Sequence, residues 1–547
     1  GLISAIGGKS LAIDWEDIHL RVKAIPAGFA DEAAISPDGA KVAWRDQITR
    51  DLWVAPSNGS SATRLTTGGV NPRQITWSKR KGLLGNTMDL LYFVDGNGAI
   101  RLCNAGSAAP VGTDRTSVLP FKARMTIRTD ELHQEMFDQG WRYLADSFYD
   151  KKYHDANWDE VKKRYRPLVK HVAMKEDLYA LMYLMMGELN ASHLGVSGFV
   201  SAPEEETADL GLIFDETHRG RGLKVAEILR RGPADKKGFG IKPGESIVSI
   251  DDTELDEKAN IAQLLNGKVG DPVSVLVTDN PADPKAKRRR VELQTISRFR
   301  TGRDRPGAND LMYDRWVARN AARVSELSKG RLGYIHIPSM DEAGLDAFVR
   351  SLYSDNYDKD AIVLDVRYNG GGFTHDQVLN YLGSKEHTRF VMRDGGEGLV
   401  LRAGDRKWHK PLVLLINNRS YSDAEIFPSA FRAQGLGKLV GEATGGFVIG
   451  TGGVRLIDGS TFRIPRIGVY SLAGNVNMDK KGVLPDVAVE AHPDDVAKGV
   501  DAQLAKAVEV LSADVVAWRK KRGLDGSGTP TSGGTPGSGA VATPPKK

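Results

Sequence analysis

Short segments in which apolar and polar residues alternate occupy the first part of the chain. Ala34-Ile35-Ser36-Pro37-Asp38-Gly39, Val42-Ala43-Trp44 and Asp51-Leu52-Trp53-Val54 recur loosely as Gln74-Ile75-Thr76-Trp77-Ser78, Leu90-Leu91-Tyr92-Phe93 and Ile100-Arg101-Leu102. Short strands joined by tight turns are predicted there. From Asp130 to Asn190 the spacing becomes helical, with Leu132, Met136, Trp141, Leu144 and Phe148 in one stretch and Leu178, Leu181, Met182, Met185 and Met186 in a second. Such methionines are core filler by their pattern. Residues 203–297 return to short strands: Leu210 to Phe214, Leu223 to Ile228, Ile247 to Asp251 and Val273 to Val277. Between 308 and 490, fully apolar runs alternate with helical stretches. Gly333 to Ile337, Ala361 to Val366, Leu412 to Ile416 and Leu439 to Gly441 are the runs, and this alternation predicts an α/β domain with buried strands. A last helix is expected near Val500 to Arg519, and the Gly-, Ser-, Thr- and Pro-rich residues 523–547 read as a disordered low-complexity tail.

Composition narrows the partners. The 547 residues exceed one core, so several domains are expected. Lys and Arg number 75 against 70 Asp and Glu, too small an excess to imply a nucleic-acid partner. The densest basic run, Lys285 to Arg290, lies between Pro284 and the alternating Val291-Glu292-Leu293, which predicts a solvated hairpin tip rather than a phosphate patch. Cys103 stands alone, so neither an internal disulfide nor a cysteine-based metal site is available. His133, His154 and His171 lack ligand spacing and no His-Glu-x-x-His occurs, so no metal and no cofactor are implied. No run reaches the roughly 18 apolar residues of a membrane helix. The chain opens at Gly1 without an initiator Met, and a truncated or processed product is the expectation.

The chemistry converges on Ser422. It follows the apolar run Pro411 to Asn417 and precedes Ala424-Glu425-Ile426-Phe427, a strand-to-helix junction at which a serine can project its hydroxyl as a nucleophile. An ordinary helix N-cap has the same local signature. A serine nucleophile also needs a base and donors for the developing oxyanion. Asp365-Val366-Arg367-Tyr368-Asn369-Gly370-Gly371-Gly372 follows a strand and can turn backbone N–H groups toward a ligand; the Lys-Ser/Thr ending of a P-loop is absent. The N–H groups of Gly371 and Asp423 are the expected oxyanion hole.

Three families of likeness follow from these residues. The repeat near the start, with its Pro-Asp-Gly turn and a period of about 40 residues, resembles β-propeller blades; two blades cannot close a propeller, which needs at least about four. Residues 203–297, with Gly232-Pro233-Ala234 and Ile241-Lys242-Pro243-Gly244-Glu245, resemble a PDZ domain whose Leu210 to Ile213 segment would be a carboxylate-binding loop. Asp365 to Gly372, Ser420 to Glu425 and Gly441-Glu442-Ala443-Thr444-Gly445-Gly446 together resemble the tail-specific and tricorn serine peptidases. The resemblance implies a multidomain fold: partial propeller blades (1–112), an α-helical domain carrying the base (113–202), a PDZ-like β domain (203–300), an α/β catalytic domain (301–522) and the tail (523–547).

The resemblance also assigns roles. The carboxy-terminal processing branch takes a lysine base 25 residues after the serine, where this chain has Phe447. The tricorn branch takes its base from the helical domain, and Glu188-Leu189-Asn190-Ala191-Ser192-His193-Leu194-Gly195 supplies it. By this resemblance His193 is the general base, Ser192 bridges it, and an acidic residue before Gly482-Val483-Leu484-Pro485-Asp486 orients the pair. That residue is Asp479, where the family has glutamate; one methylene shorter, it is expected to reach Ser192 through a water or a shifted loop. Asp394 is the counterpart of the acidic specificity residue, an exposed turn residue being the alternative. The implied protein is a cytoplasmic serine endopeptidase that cleaves oligopeptides through an acyl-enzyme, assembles as a homo-oligomer, typically a hexamer, and passes its products to aminopeptidases. The alternatives are a peptide-binding scaffold with a weakened catalytic site and a processing protease with Lys438 as a relocated base.

Overall fold

A computed structural model describes residues 15–16, 30–81, 87–106, 116–122, 124–198, 205–236, 238, 240–256, 258–299, 307–391, 399–402, 404 and 407–522. The chain divides into two compact units, 1–127 and 128–547. In the first, strands Ala30–Ile35, Lys41–Asp46, Leu52–Pro56 and Thr63–Arg64 form one antiparallel sheet in chain order, and Arg73–Lys81, Thr87–Val94, Ile100–Asn104 and Ser117–Val118 form a second. Alternation buries one face of each, so that Ala43, Leu52, Leu91 and Phe93 share one core. Cys103 is buried in it. The Pro-Asp-Gly turn is closed by Asp38, whose Oδ1 accepts from the Ser36 hydroxyl at 2.7 Å.

The second unit begins with helix α1 (Thr129–Ser147) and includes α2 (Lys175–Gly187). The buried stripe of α1 is His133, Met136, Phe137, Gly140 and Leu144. Gly140 is where the helices close on each other: a Cβ there would lie 2.6 Å from Met182 Cε and 3.0 Å from the Phe462 ring. A short strand, β1 (Gly195–Ser197), leaves this helical region. Residues 205–299 form a separate antiparallel sheet of short strands with Val225, Ile247, Ile250, Val273 and Val275 fully buried. One of its edge strands is Leu212–Phe214. The Gly211 N–H at the head of that strand donates to Asp209 Oδ1 at 2.8 Å. The basic run, expected as a solvated hairpin tip, lies partly in the connection and partly in the strand Arg289–Gln294 that pairs with Pro272–Thr278, and its arginines have local ion partners: Arg288 pairs with Glu254 (2.7 Å), Arg289 with Glu245 (2.6 Å) and Arg290 with Asp252 (2.7 Å).

The α/β region is a parallel sheet in the order β2 (Leu332–His336), β3 (Ala361–Asp365), β4 (Leu412–Ile416), β5 (Gly437–Gly441) and, as a two-residue edge, Val487–Ala488. The helices Ala308–Ser328 and Ala502–Lys521 cover one face through Val324, Leu504, Leu511 and Val515. Phe348 and Leu352 of helix Glu342–Tyr353 and Phe427 and Phe431 of α3 (Asp423–Ala433) cover the other. Both faces being buried explains why the strands read as unbroken apolar runs. A hairpin of β6 (Ile449–Arg455) and β7 (Thr461–Gly468) then crosses back to the helical region. There β7 pairs with β1, Phe462 opposite Val196 and Arg463 opposite Gly195, and Phe462 and Ile464 enter the helical core. This three-stranded sheet fastens the helical region to the α/β region. No helix among the described residues is long and apolar enough to cross a membrane.

Candidate active site

Ser422 sits where β4 gives way to α3, at the carboxyl end of the parallel sheet, the usual place for a site in such a fold. Its backbone (φ 57, ψ −116) differs from that of an ordinary N-cap, which lies in the β region. The turn is held from several sides. The Ser420 hydroxyl donates to the Val366 carbonyl at 2.9 Å, and the Tyr421 N–H donates to the Asn369 carbonyl at 2.9 Å. Glu425, fully buried, accepts from the Ser422 N–H (3.2 Å), the Thr444 hydroxyl (2.6 Å) and the N–H groups of Gly446 and Phe447 (2.7 Å each). Burial raises its pKa, while these four donors favour the carboxylate.

The chain bearing His193 reaches this turn from the other end of the unit. Its Nε2 lies 2.9 Å from Ser422 Oγ and its Nδ1 lies 2.9 Å from Ser192 Oγ. The Ser192 hydroxyl in turn donates to Asp479 Oδ1 at 2.8 Å. That direction fixes the others: a Ser192 hydroxyl that donates to the carboxylate can only accept from Nδ1–H, which leaves Nε2 free to accept from Ser422. The aspartate therefore touches Ser192 directly, with no water needed to bridge its shorter side chain. Its loop closes in because Lys480 adopts φ 68 and donates its N–H to the Gly446 carbonyl at 2.5 Å. Asn477 braces the same loop, accepting the Asp479 N–H at 3.0 Å and donating to Tyr149 Oη at 3.1 Å. His193 is 5% exposed, and its pKa falls to about 4, first through burial and then through the nearby Arg463 guanidinium.

Gly371 packs directly under the nucleophile. A Cβ at this position would lie 2.6 Å from the Tyr421 carbonyl oxygen, 2.7 Å from Ser422 Cβ and 3.0 Å from the Asp423 nitrogen, at a φ of 87. Only glycine fits. Its N–H, expected to point at a substrate, donates to Asn369 Oδ1 at 2.8 Å, because Asn369 folds its amide back over the loop. The Asp423 N–H donates to no acceptor among the described residues. A cavity of about 470 Å³ opens over these groups, bounded by His193, Gly370, Ser422, Asp423, Val448 and Arg463. Asp394 lies outside the described residues. Lys438 is on β5 with its ammonium 2.7 Å from Asp514, and Phe447 packs against Tyr421 with the rings tilted by 31° and their centroids 5.4 Å apart.

Four participants escaped the sequence reading. Tyr421 lies over the imidazole (4.6 Å between centroids, 16° between planes) with its hydroxyl 3.0 Å from Nδ1. His375 binds Asp423 twice, Nδ1 to Oδ1 at 2.5 Å and N–H to Oδ2 at 3.0 Å, and that carboxylate raises its pKa. Arg463 reaches the site from β7. Glu425 alone had a signal, the Ser-x-x-Glu spacing of a capping box from Ser422. Among the described residues no group of three or more His, Cys, Asp or Glu side chains could hold a metal ion.

Comparison with known proteins bears on this arrangement. Residues 331–489 match peptidase family S41, residues 130–187 the tricorn protease C1 domain and residues 224–297 the tricorn protease PDZ domain. The tricorn protease of Thermoplasma volcanium is 28% identical over 394 residues, covering 70% of this chain and 37% of that protein. A putative tricorn protease homologue of Streptomyces coelicolor is 30% identical over 536 residues, 93% of this chain and 44% of that protein. The chain thus spans less than half the length of these two relatives. A carboxyl-terminal-processing protease of Picosynechococcus is 25% identical over 407 residues, 71% of this chain and 90% of its own. The crystal structure of the tricorn protease superposes with a TM-score of 0.67 at 23% identity, covering 88% of this chain and 44% of that one.

Proposed function

We propose, for a chain that belongs to the tricorn protease family of S41 serine peptidases, the function of an endopeptidase that cleaves oligopeptides through an acyl-enzyme on Ser422. The observation that carries the reading is the 2.9 Å approach of Ser422 Oγ to His193 Nε2, two residues 229 positions apart. In this mechanism Ser422 passes its proton to Nε2 as Oγ attacks the scissile carbonyl, and the imidazolium so formed is stabilised through Ser192 by the Asp479 carboxylate. The Asp423 N–H binds the developing oxyanion, joined by the Gly371 N–H when it leaves or shares the Asn369 amide oxygen. His193 then protonates the leaving amine, and a water activated by the same imidazole hydrolyses the ester. A pKa near 4 keeps His193 neutral, as a base must be, throughout the neutral range.

The pairing of Lys438 with Asp514 and the aromatic Phe447 at the lysine position support histidine over lysine as the base. The direct Ser192 to Asp479 contact supports a working site over an inert scaffold. The same proposal takes the two antiparallel meanders of the first unit as propeller blades (1–112), followed by the base-bearing helical domain (113–202), the PDZ-like domain (203–300), the catalytic domain (301–522) and the tail (523–547). Asp394 as an acidic specificity residue, homo-oligomeric assembly as a hexamer, onward trimming by aminopeptidases and a cytoplasmic setting belong to it as well. Fluorophosphonate labelling is the test. Prompt modification of Ser422 that disappears in His193→Ala is expected, and a folded, unlabelled wild-type protein would sink the proposal.

A further inference from the structure

Two cavities meet at the edge of the proposed site. The one over Ser422 and a second, about 440 Å³ and bounded by Tyr183, Leu194, Gly195, Thr451 and Gly453, share Thr451 and Arg463. The second lies on the His193 side of Ser422, because β1 starts two residues after His193 and pairs with β7 at Gly195 opposite Arg463. A leaving amine must take its proton from His193, so the part of a substrate beyond the cleaved bond has to run toward this second cavity.

Its chemistry is unbalanced. Among the described residues that bound the two cavities the one carboxylate is Asp423, which His375 already holds. Arg463 is exposed and makes one long side-chain contact, Nε to Thr451 Oγ1 at 3.3 Å. The outer N–H groups of its guanidinium fork have no carboxylate partner among the described residues. Arg466, three residues along the same strand, lays Cδ, Nε and Nη1 3.4–3.5 Å from where a Gly452 Cβ would stand. Gly452 thus lies beneath Arg466, whereas Arg463 is the cation that borders both cavities. A planar fork with free N–H groups matches a carboxylate in two-point fashion. The proximity that lets Arg463 depress the His193 pKa places its charge at the reacting centre rather than on a remote surface.

We infer that Arg463 is a specificity-determining residue that binds a carboxylate of the substrate on the leaving-group side of the cleaved bond, either an acidic side chain or the terminal carboxylate of a short peptide. This rests on Ser422 and His193 acting as proposed above only for the direction of the chain in the cleft; the binding itself does not require cleavage. The experiment uses alanine-rich octapeptides, amidated and carrying one Glu or its isostere Gln at successive positions, and a matched pair with free and amidated carboxyl termini. Binding is measured by fluorescence anisotropy on full-length Ser422→Ala and Ser422→Ala/Arg463→Gln, and hydrolysis on wild type and Arg463→Gln. A carboxylate-bearing peptide should bind about tenfold more tightly than its neutral partner, as expected for a charge-assisted pair, and the ratio should fall to about one without Arg463. The same loss should appear in kcat/KM, carried mainly by KM. Preference for Glu alone assigns an acidic side chain, and preference for the free terminus alone assigns the chain end. Equal binding of all partners, or a preference that survives Arg463→Gln, overturns the inference. Selective binding without products would instead overturn the hydrolytic reading and support this one, whereas cleavage without selectivity overturns this one alone.

Discussion

Asp479→Asn separates what the buried acid does for His193 from what it does for the fold. Asp479 is 5% exposed, its Oδ1 accepts from Ser192 and its Oδ2 is buried without a hydrogen-bond partner among the described residues. An asparagine has two ways to sit. With its oxygen toward Ser192 the direction of donation survives, but the negative charge is gone and an NH2 group is buried without an acceptor. The carboxylate stands roughly 5–6 Å from the imidazole across Ser192, and at an effective dielectric near 20 its attraction for the imidazolium is about 3 kcal/mol, or roughly 100-fold in kcat. With its NH2 toward Ser192, the hydroxyl must turn and donate to Nδ1, leaving Nε2 protonated against Ser422. The loss then approaches the roughly 10⁴-fold known for an asparagine in a catalytic triad. A kcat between about 10² and 10⁴ below wild type, with KM little changed, is expected from steady-state hydrolysis and from the fluorophosphonate labelling rate, on protein whose melting curve shows it folded. A folded Asp479→Asn protein within about threefold of wild type would refute the relay through Ser192. Asp479→Glu keeps the charge, and its cost should be one of packing, about 1–3 kcal/mol of stability for the extra methylene.

The acid limb of kcat/KM should fall near pH 4, since protonation of His193 removes the base and its pKa is about 4; a limb near the ordinary 6.5 would refute the burial argument. Glu425→Gln should destabilise the α/β domain by about 3 kcal/mol or more in urea denaturation, because an amide presents one acceptor atom to four donors; a loss under about 1 kcal/mol would show the carboxylate to be dispensable. His375 has its pKa raised by Asp423, so its contribution is full below the unfolded value near 6.5 and is lost as pH rises through the folded one; the Tm gap between wild type and His375→Gln should therefore shrink with rising pH, and a widening gap would reverse the assignment. Gly371→Ala should slow Ser422 labelling by about 100-fold or more, since its Cβ would displace the nucleophile turn, and a normal rate would mean the turn is loose.

The parts of this architecture that were legible in the sequence are those governed by local pattern. The runs Ala361 to Val366 and Leu412 to Ile416 are strands because both faces of the sheet are covered, and Ser422 ends one of them at a turn whose Ser-x-x-Glu spacing is visible. Helix α1 shows its buried face only in part through its apolar residues. Two positions of its buried stripe are His133 and Gly140, so the apolar residues alone skip the 3.6-residue period that the packing obeys. Glu425 shows the limit of a motif: the spacing announces a cap, but three of its four donors come from residues 444–447, which nothing local connects to it.

Long-range assembly explains the rest. His193 and Ser422 are neighbours because Phe462 enters the helical core and β7 pairs with β1, an antiparallel contact of three residues. Neither strand is remarkable for its hydrophobicity, and Gly195, Arg463 and the glycines of β6 carry no catalytic signature of their own. The same three residue pairs that deliver the imidazole also bring Arg463 beside it, so the proposed base and the proposed carboxylate-binding arginine share one structural cause. A substitution that weakens the β1–β7 pairing should therefore reduce base catalysis and leaving-side selectivity together, whereas one at Arg463 separates them. Phe462 is the position to ask this of, since its ring is fully buried and meets α1 at Gly140, so shortening it loosens the fastening and leaves every proposed reacting group in the sequence.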